Sequence, residues 1–176
     1  MKLLAILILL SSCTPRTQPD LKEILEIKAM MQRVSPDLAD QVAIPLARAI
    51  HSNSKKYKIS AKVAVAIFKQ ESNFKLDAVN YVSKDFGLGQ INYRSILERK
   101  INLGKLLTNQ EYAVEQTFAI LADLKSRYAK IDYKNGRKWW TRYHSRTPAL
   151  GQAYNTRIEQ HLSCMEKAQD ERKKTR

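Results

Sequence analysis

Apolar residues recur at i, i+3 and i+4 through most of the chain, the periodicity of helices that each bury one stripe. The spacing predicts a first helix over 20–34, carried by Leu21, Ile24, Leu25 and Met31. Ser35, Pro36 and Asp37 combine a capping hydroxyl, a first-turn proline and a first-turn acid. A second helix is therefore expected from there to about Asn53, kinked at Pro45. Ser60 caps a third helix over 61–72. Residues 73–92 lose the helical period and hold Gly87 and Gly89, as a structured loop would. A short helix is expected over 94–99. Thr108 to Glu111 has the form of a capping box heading a long helix to about Lys130, followed by a turn around Asn135 and Gly136. Trp139 to His144 suggests another short helix. Thr147 and Pro148 open the last one, which is expected to fray into the charged tail 166–176. The pattern is that of a mostly α domain over 20–165, wrapped around one irregular or β-containing loop.

The first residues read differently. Lys2 precedes an apolar run from Leu3 to Leu10, and Ser11, Ser12 and Cys13 follow. One positive charge, a short apolar core and small residues make a secretory signal pattern, and the run is far below the ~20 residues of a spanning helix. Leu10-Ser11-Ser12-Cys13 resembles the lipobox of bacterial lipoproteins. That resemblance implies a signal peptide over 1–12, lipid on the Cys13 sulfur and a tether over 13–19. Because Thr14 is not an aspartate, it further implies the outer membrane, facing the periplasm. Cys164 is then left without a partner and reads as a small apolar residue on a helix.

Composition narrows the classes. The chain has 176 residues, a size for one domain, and 5 Gly with 5 Pro are too few for the turns of an all-β fold. Two cysteines and three scattered histidines (His51, His144, His161), none paired at i, i+4, suggest neither a disulfide framework nor a metal site. The histidines read as surface or capping residues, and Trp139 and Trp140 as core aromatics or as a saccharide wall. The formal net charge of +14 suits an anionic partner. Behind an export signal that partner is peptidoglycan or a membrane surface, not nucleic acid. No phosphate loop, dinucleotide fingerprint or Gly-x-Ser-x-Gly occurs, so no cofactor is implied.

The third helix carries the candidate chemistry. On a helical wheel Lys62 and Lys69 lie close together and mark the solvent face, while Glu71 stands about 180° from Lys62, beside Ile67, Ala64 and Phe68. A carboxylate on the packing face and in the last turn is disfavoured by desolvation and by the negative end of the helix dipole. Both effects raise its pKa, which suits a general acid, although a buried Glu paired with a basic residue has the same address.

Glu71-Ser72-Asn73-Phe74, Ala78-Val79-Asn80 and Asp85-Phe86-Gly87-Leu88-Gly89-Gln90-Ile91-Asn92 resemble the lysozyme-like lytic transglycosylases of the soluble-lytic-transglycosylase type. Tyr143-His144-Ser145, and Tyr154 with Ile158, are similar to the family's tyrosine-containing third element, so the resemblance spans 59–162. It implies a lysozyme-like α domain that cleaves the β-1,4 bond between N-acetylmuramic acid and N-acetylglucosamine and leaves a 1,6-anhydro end. Glu71 is then the general acid and base, without metal or cofactor, and Ser72, Asn80, Gln90, Asn92, Tyr143 and Tyr154 support it or bind the glycan strand.

Two positions depart from the family pattern. Gly89 stands where many members have Met, and Asn80 near where a Ser is frequent. Asp85 also fits the segment that supplies the second carboxylate of animal-type lysozymes, which would make a hydrolase, or it braces the turn at Gly87. A peptidoglycan-binding lipoprotein without activity is the non-enzymatic alternative. An enzyme opening the wall for a secretion or conjugation assembly shares the chemistry and differs in partners.

Overall fold

The computed structural model describes residues 18–145 and 147–174. The signal segment 1–12, Cys13 and all of the tether except Gln18 and Pro19 lie outside the described residues. Among the described residues, eight helices and one three-stranded antiparallel sheet form the mostly α architecture that the periodicity implied.

Helix α1 (Gln18–Val34) packs along α2 (Asp40–Tyr57) and against α3 (Ala61–Ser72). Its buried stripe is Ile24, Ile27, Met30, Met31 and Val34, with Leu21 and Leu25 half exposed, so the stripe is rotated from the expected one. Ser35-Pro36-Asp37 is a turn and not the head of α2. Ser35 donates its amide to the Met31 carbonyl at 2.9 Å and its hydroxyl to Asn73 Oδ1 at 3.2 Å. The second helix starts at Asp40, without a side-chain cap at Ala39, runs to Tyr57 and keeps Pro45 inside it.

Helix α3 is apolar almost all round: Val63 to Phe68 are all buried, and α8 covers it. It stops because Asn73 and Phe74 are both left-handed, at φ 51° and 65°. Asn tolerates that conformation, whereas a Phe there is strained by roughly 1–3 kcal/mol. Burial of the Phe74 ring to 3% exposure offsets the strain. The chain after Glu71 is thereby turned sharply into the loop.

That loop contains β1 (Val79–Asn80), β2 (Asp85–Phe86) and β3 (Ile91–Asn92), in the order β1-β2-β3. Asn80 pairs with Asp85, and Asp85 with Asn92. Two short helices follow, α4 (Tyr93–Glu98) and α5 (Leu103–Thr108), the second of which the periodicity did not predict. Helix α6 (Gln110–Lys134) is capped by Asn109 and not by Thr108: Asn109 Oδ1 accepts from the Tyr112 amide at 2.9 Å. It crosses the core under α2, where Phe118 meets Phe68 and Tyr57.

The short α7 (Thr141–His144) packs on α6 and on α8 (Pro148–Lys174). An ion pair fixes it: the Arg142 guanidinium donates from Nη2 and Nε to the fully buried Asp132 of α6, at 2.7 and 3.1 Å. Helix α8 passes through Glu166 to Lys174, where fraying was expected. Its Tyr154, Ile158 and Met165 are buried in the core.

Candidate active site

The end of α3, the small sheet, α7 and the first turns of α8 enclose a cleft of about 440 Å³. Glu71, Asp85, Gln90, Asn92, Tyr143 and His144 are among its lining residues. Glu71 projects from the last turn of α3, and its Oε1 accepts a hydrogen bond from the Tyr154 phenol at 2.7 Å. Burial of the carboxyl, reinforced by the nearby charge of Asp85, raises its pKa to about 7. The Tyr154 hydrogen bond and the charge of Arg157 oppose that rise without cancelling it. Glu71 is accordingly an acid that holds or releases its proton near neutrality, inside a solvent-open cleft.

Tyr154 is itself held. The His144 ring stacks on it with centroids 4.9 Å apart and planes within 2°. Burial and the neighbouring Glu71 carboxyl push the phenol's pKa well up, so it remains a donor. Burial lowers the His144 pKa, with Arg157 acting in the same direction, so the imidazole is neutral at pH 7. His144 was read from sequence as a surface or capping residue. Its role in covering Tyr154 depends on the meeting of α7 with α8, which no local pattern announces.

The Gly87–Gln90 segment is clamped through three successive carbonyls. Gln90 Nε2 donates to Gly87 O at 3.0 Å, Ser72 Oγ to Leu88 O at 2.7 Å, and the Tyr143 phenol to Gly89 O at 2.6 Å. Gln90 Nε2 also reaches Ala78 O at 3.0 Å. Gly87 is left-handed at φ 76°, as its turn requires. Gly89 is needed for space: a Cβ there would overlap the Thr117 hydroxyl and lie 2.9 Å from the Tyr143 phenol oxygen. Where many members of the resembled family carry Met, Thr117 and Tyr143 fill the room in this chain.

These contacts revise the expected roles. Ser72 is buried and spends its hydroxyl on Leu88 and Phe68, so it positions the loop and does not line the cleft. Asn80 is not among the lining residues; its Oδ1 caps the β1–β2 turn by accepting from the Val82 and Ser83 amides. Gln90 and Asn92 do line the cleft with their amide nitrogens already engaged, Asn92 Nδ2 donating to Asp85 Oδ1 at 2.8 Å and to Ser83 O at 2.9 Å. Asp85 braces Asn92 on the sheet and faces the same cleft as Glu71.

Four other residues fall elsewhere. Trp139 and Trp140 meet edge to face, with centroids 5.7 Å apart, against the core. His51 is buried and bonds Glu23 at 3.0 Å. Cys164 is exposed on α8. Among the described residues, no cluster of His, Cys, Asp and Glu is arranged to hold a metal ion.

Compared with known families, residues 48–176 match the transglycosylase SLT domain, which is more than half of the chain. The chain belongs to the SLT transglycosylase family. No curated protein and no solved structure matches it. An SLT domain has peptidoglycan as its substrate and a peptidoglycan-cleaving activity of the lytic-transglycosylase type. The match leaves α1 and the start of α2 outside the SLT domain, as an extra layer packed on α3.

Proposed function

We propose that the cleft takes a peptidoglycan glycan strand and cleaves the bond between N-acetylmuramic acid and N-acetylglucosamine, with Glu71 as the single general acid and base. The observation that carries this reading is the Glu71 carboxyl at about 7, hydrogen-bonded by Tyr154 in an open cleft. Protonated Glu71 gives its proton to the glycosidic oxygen as the bond to C1 breaks. The carboxylate left behind then takes the proton of the muramic C6 hydroxyl as O6 bonds to C1. A 1,6-anhydro ring forms, Glu71 regains its proton, and no water is consumed. Tyr154 orients the carboxyl through both steps, and its hydrogen bond stabilises the ionised intermediate state of Glu71.

Asp85 favours a second reading, because it shares the cleft and its charge raises the Glu71 pKa. In that reading water attacks C1 and the ends are reducing. Mass spectrometry of fragments released from purified peptidoglycan separates the two. Anhydro ends, one water lighter, support the proposal; reducing ends transfer Asp85 into the mechanism. Binding to the polymer without any release would reduce the protein to a binding module.

We further propose that Cys13 is lipidated and tethers the domain to the outer membrane, where it faces the periplasm. The support is Leu10-Ser11-Ser12-Cys13 at the end of an apolar run. Metabolic labelling with an alkyne fatty acid should mark the wild type and miss Cys13→Ala; label retained by the variant contradicts it.

A further inference from the structure

Tyr154 serves Glu71 only while its phenol points at the carboxyl oxygen. That hydrogen bond is 2.7 Å long, and such bonds weaken steeply once their angle closes. Tyr154 is almost wholly buried, and the His144 ring lies parallel to it, with planes within 2° and centroids 4.9 Å apart. The stack restrains the tilt of the phenol ring from one side. Among the described residues, the His144 imidazole has no hydrogen-bond partner. What it offers Tyr154 is a flat, uncharged surface.

Two anchors keep that surface in place. Helix α7 has four residues, too few to be stable alone. Arg142 ties it to Asp132 of α6. Trp140, one residue before α7, donates from Nε1 to Asn155 Oδ1 at 3.1 Å, and Asn155 is the neighbour of Tyr154 on α8. The stack is thus braced against both α6 and α8. His144 also lines the cleft, so it has two possible roles, contact with the strand or support of Tyr154. Planes matched within 2° belong to the pair with Tyr154 and are not required of a group that only meets the strand.

We propose that His144 is a positioning residue: its ring, held flat on Tyr154, keeps the phenol aimed at the Glu71 carboxyl. This deepens the reading of Glu71 as the general acid and base, on which it rests. The ring has to be neutral, because an imidazolium there would favour ionised Glu71 and remove the proton it donates. The other groups that act on the Glu71 carboxyl are Asp85 from β2 and Tyr154 and Arg157 from α8, and a neutral ring leaves their balance unchanged.

Two substitutions separate the plane of the ring from its bulk. His144→Leu keeps an apolar volume over Tyr154 and loses the plane, whereas His144→Phe keeps the plane and loses the nitrogens. His144→Leu should lower kcat about threefold with KM unchanged, the scale of one aromatic pair. The titration midpoint of Glu71 is read by carbon NMR of glutamate-labelled protein, with Glu71→Gln identifying the signal. In His144→Leu it should rise by about half a pH unit, the same factor of three. His144→Phe should keep the wild-type values of both. In the Tyr154→Phe background His144→Leu should change neither, because no phenol is left to aim. Thermal melts establish that each variant is folded.

Equal losses in His144→Leu and His144→Phe would overturn the assignment, by tying the effect to the nitrogens. A raised KM at wild-type kcat would overturn it by tying the effect to the strand. A midpoint that stays or falls in His144→Leu, or a loss that persists in the Tyr154→Phe background, would overturn it as well. If no form releases fragments from peptidoglycan, the catalytic reading fails. The Glu71 midpoints then still decide the role of His144, upheld by a rise in His144→Leu alone and overturned by any other pattern.

Discussion

Replacing Glu71 by Gln should stabilise the fold, and only above a certain pH. The folded-state pKa of about 7 stands above the ordinary 4.5, so between those values the folded chain binds more protons than the unfolded chain. Stability therefore falls as pH rises through this window, because the native state must ionise a carboxyl in a poorly solvated place. The gap between 4.5 and about 7 corresponds to about 3 kcal/mol lost by pH 8. Gln has the shape of Glu, can accept the Tyr154 hydrogen bond and carries no charge. At pH 8 the variant should exceed wild type by about 3 kcal/mol, or roughly 6–12 °C in Tm for a chain of this size. At pH 4 the wild-type carboxyl is mostly protonated in both states, and the two proteins should agree within about 0.5 kcal/mol. Urea and thermal melts of both proteins at both pH values give the comparison, and other titrating groups cancel in the double difference. A difference independent of pH, or a wild type more stable than the variant at pH 8, would show that Glu71 is not a carboxyl whose ionisation opposes folding.

Further expectations concern the groups around that carboxyl. Tyr154→Phe removes the donor that favours ionised Glu71, so the descending limb of the pH–rate profile, near pH 7 in wild type, should move upward while the rate falls about tenfold. An unmoved limb would separate Tyr154 from the proton chemistry. Gly89→Ala should cost about 1–3 kcal/mol through overlap with Thr117, and Thr117→Ala on top of it should restore part of the loss in a double-mutant cycle of denaturant melts. Arg142→Ala leaves Asp132 buried with its charge unmatched and should cost about 3–5 kcal/mol by the same melts, releasing α7 from α6.

Long amphipathic segments were legible in the sequence because burial imposes its period on them: α1, α3, α6 and α8 stand close to where the apolar spacing puts them. Short elements escaped for want of a period. Two-residue strands show no alternation, and α5 spans six residues with Gly104 inside it. Start signals misled by small offsets. Ser-Pro-Asp marks turns as readily as helix heads, and tertiary contacts with Met31 and Asn73 made it a turn; in the capping box Asn109 took the role offered to Thr108.

Within the site, Glu71 was visible because its place on the wheel contradicted its charge. Its link to Tyr154 joins residues 83 apart, and the stacked His144 depends on the same packing of α7 against α8. Ser72, Asn80 and Gln90 show the limit most plainly. A polar side chain in a loop motif can face a ligand or its own backbone, and composition does not distinguish the two. Here Ser72 and Gln90 hold the Gly87–Gln90 carbonyls, and Asn80 holds its own turn.

The central claim is that one carboxyl, Glu71, moves the protons of an anhydro-forming cleavage. The most direct measurement is the initial rate at which anhydro-muramyl ends are released from purified peptidoglycan, for wild type beside Glu71→Gln of verified fold. Wild type should release anhydro ends, and the variant should lose about 10²–10⁴-fold in rate, the range for removal of a general acid–base group. Anhydro ends released by Glu71→Gln at the wild-type rate would contradict that claim.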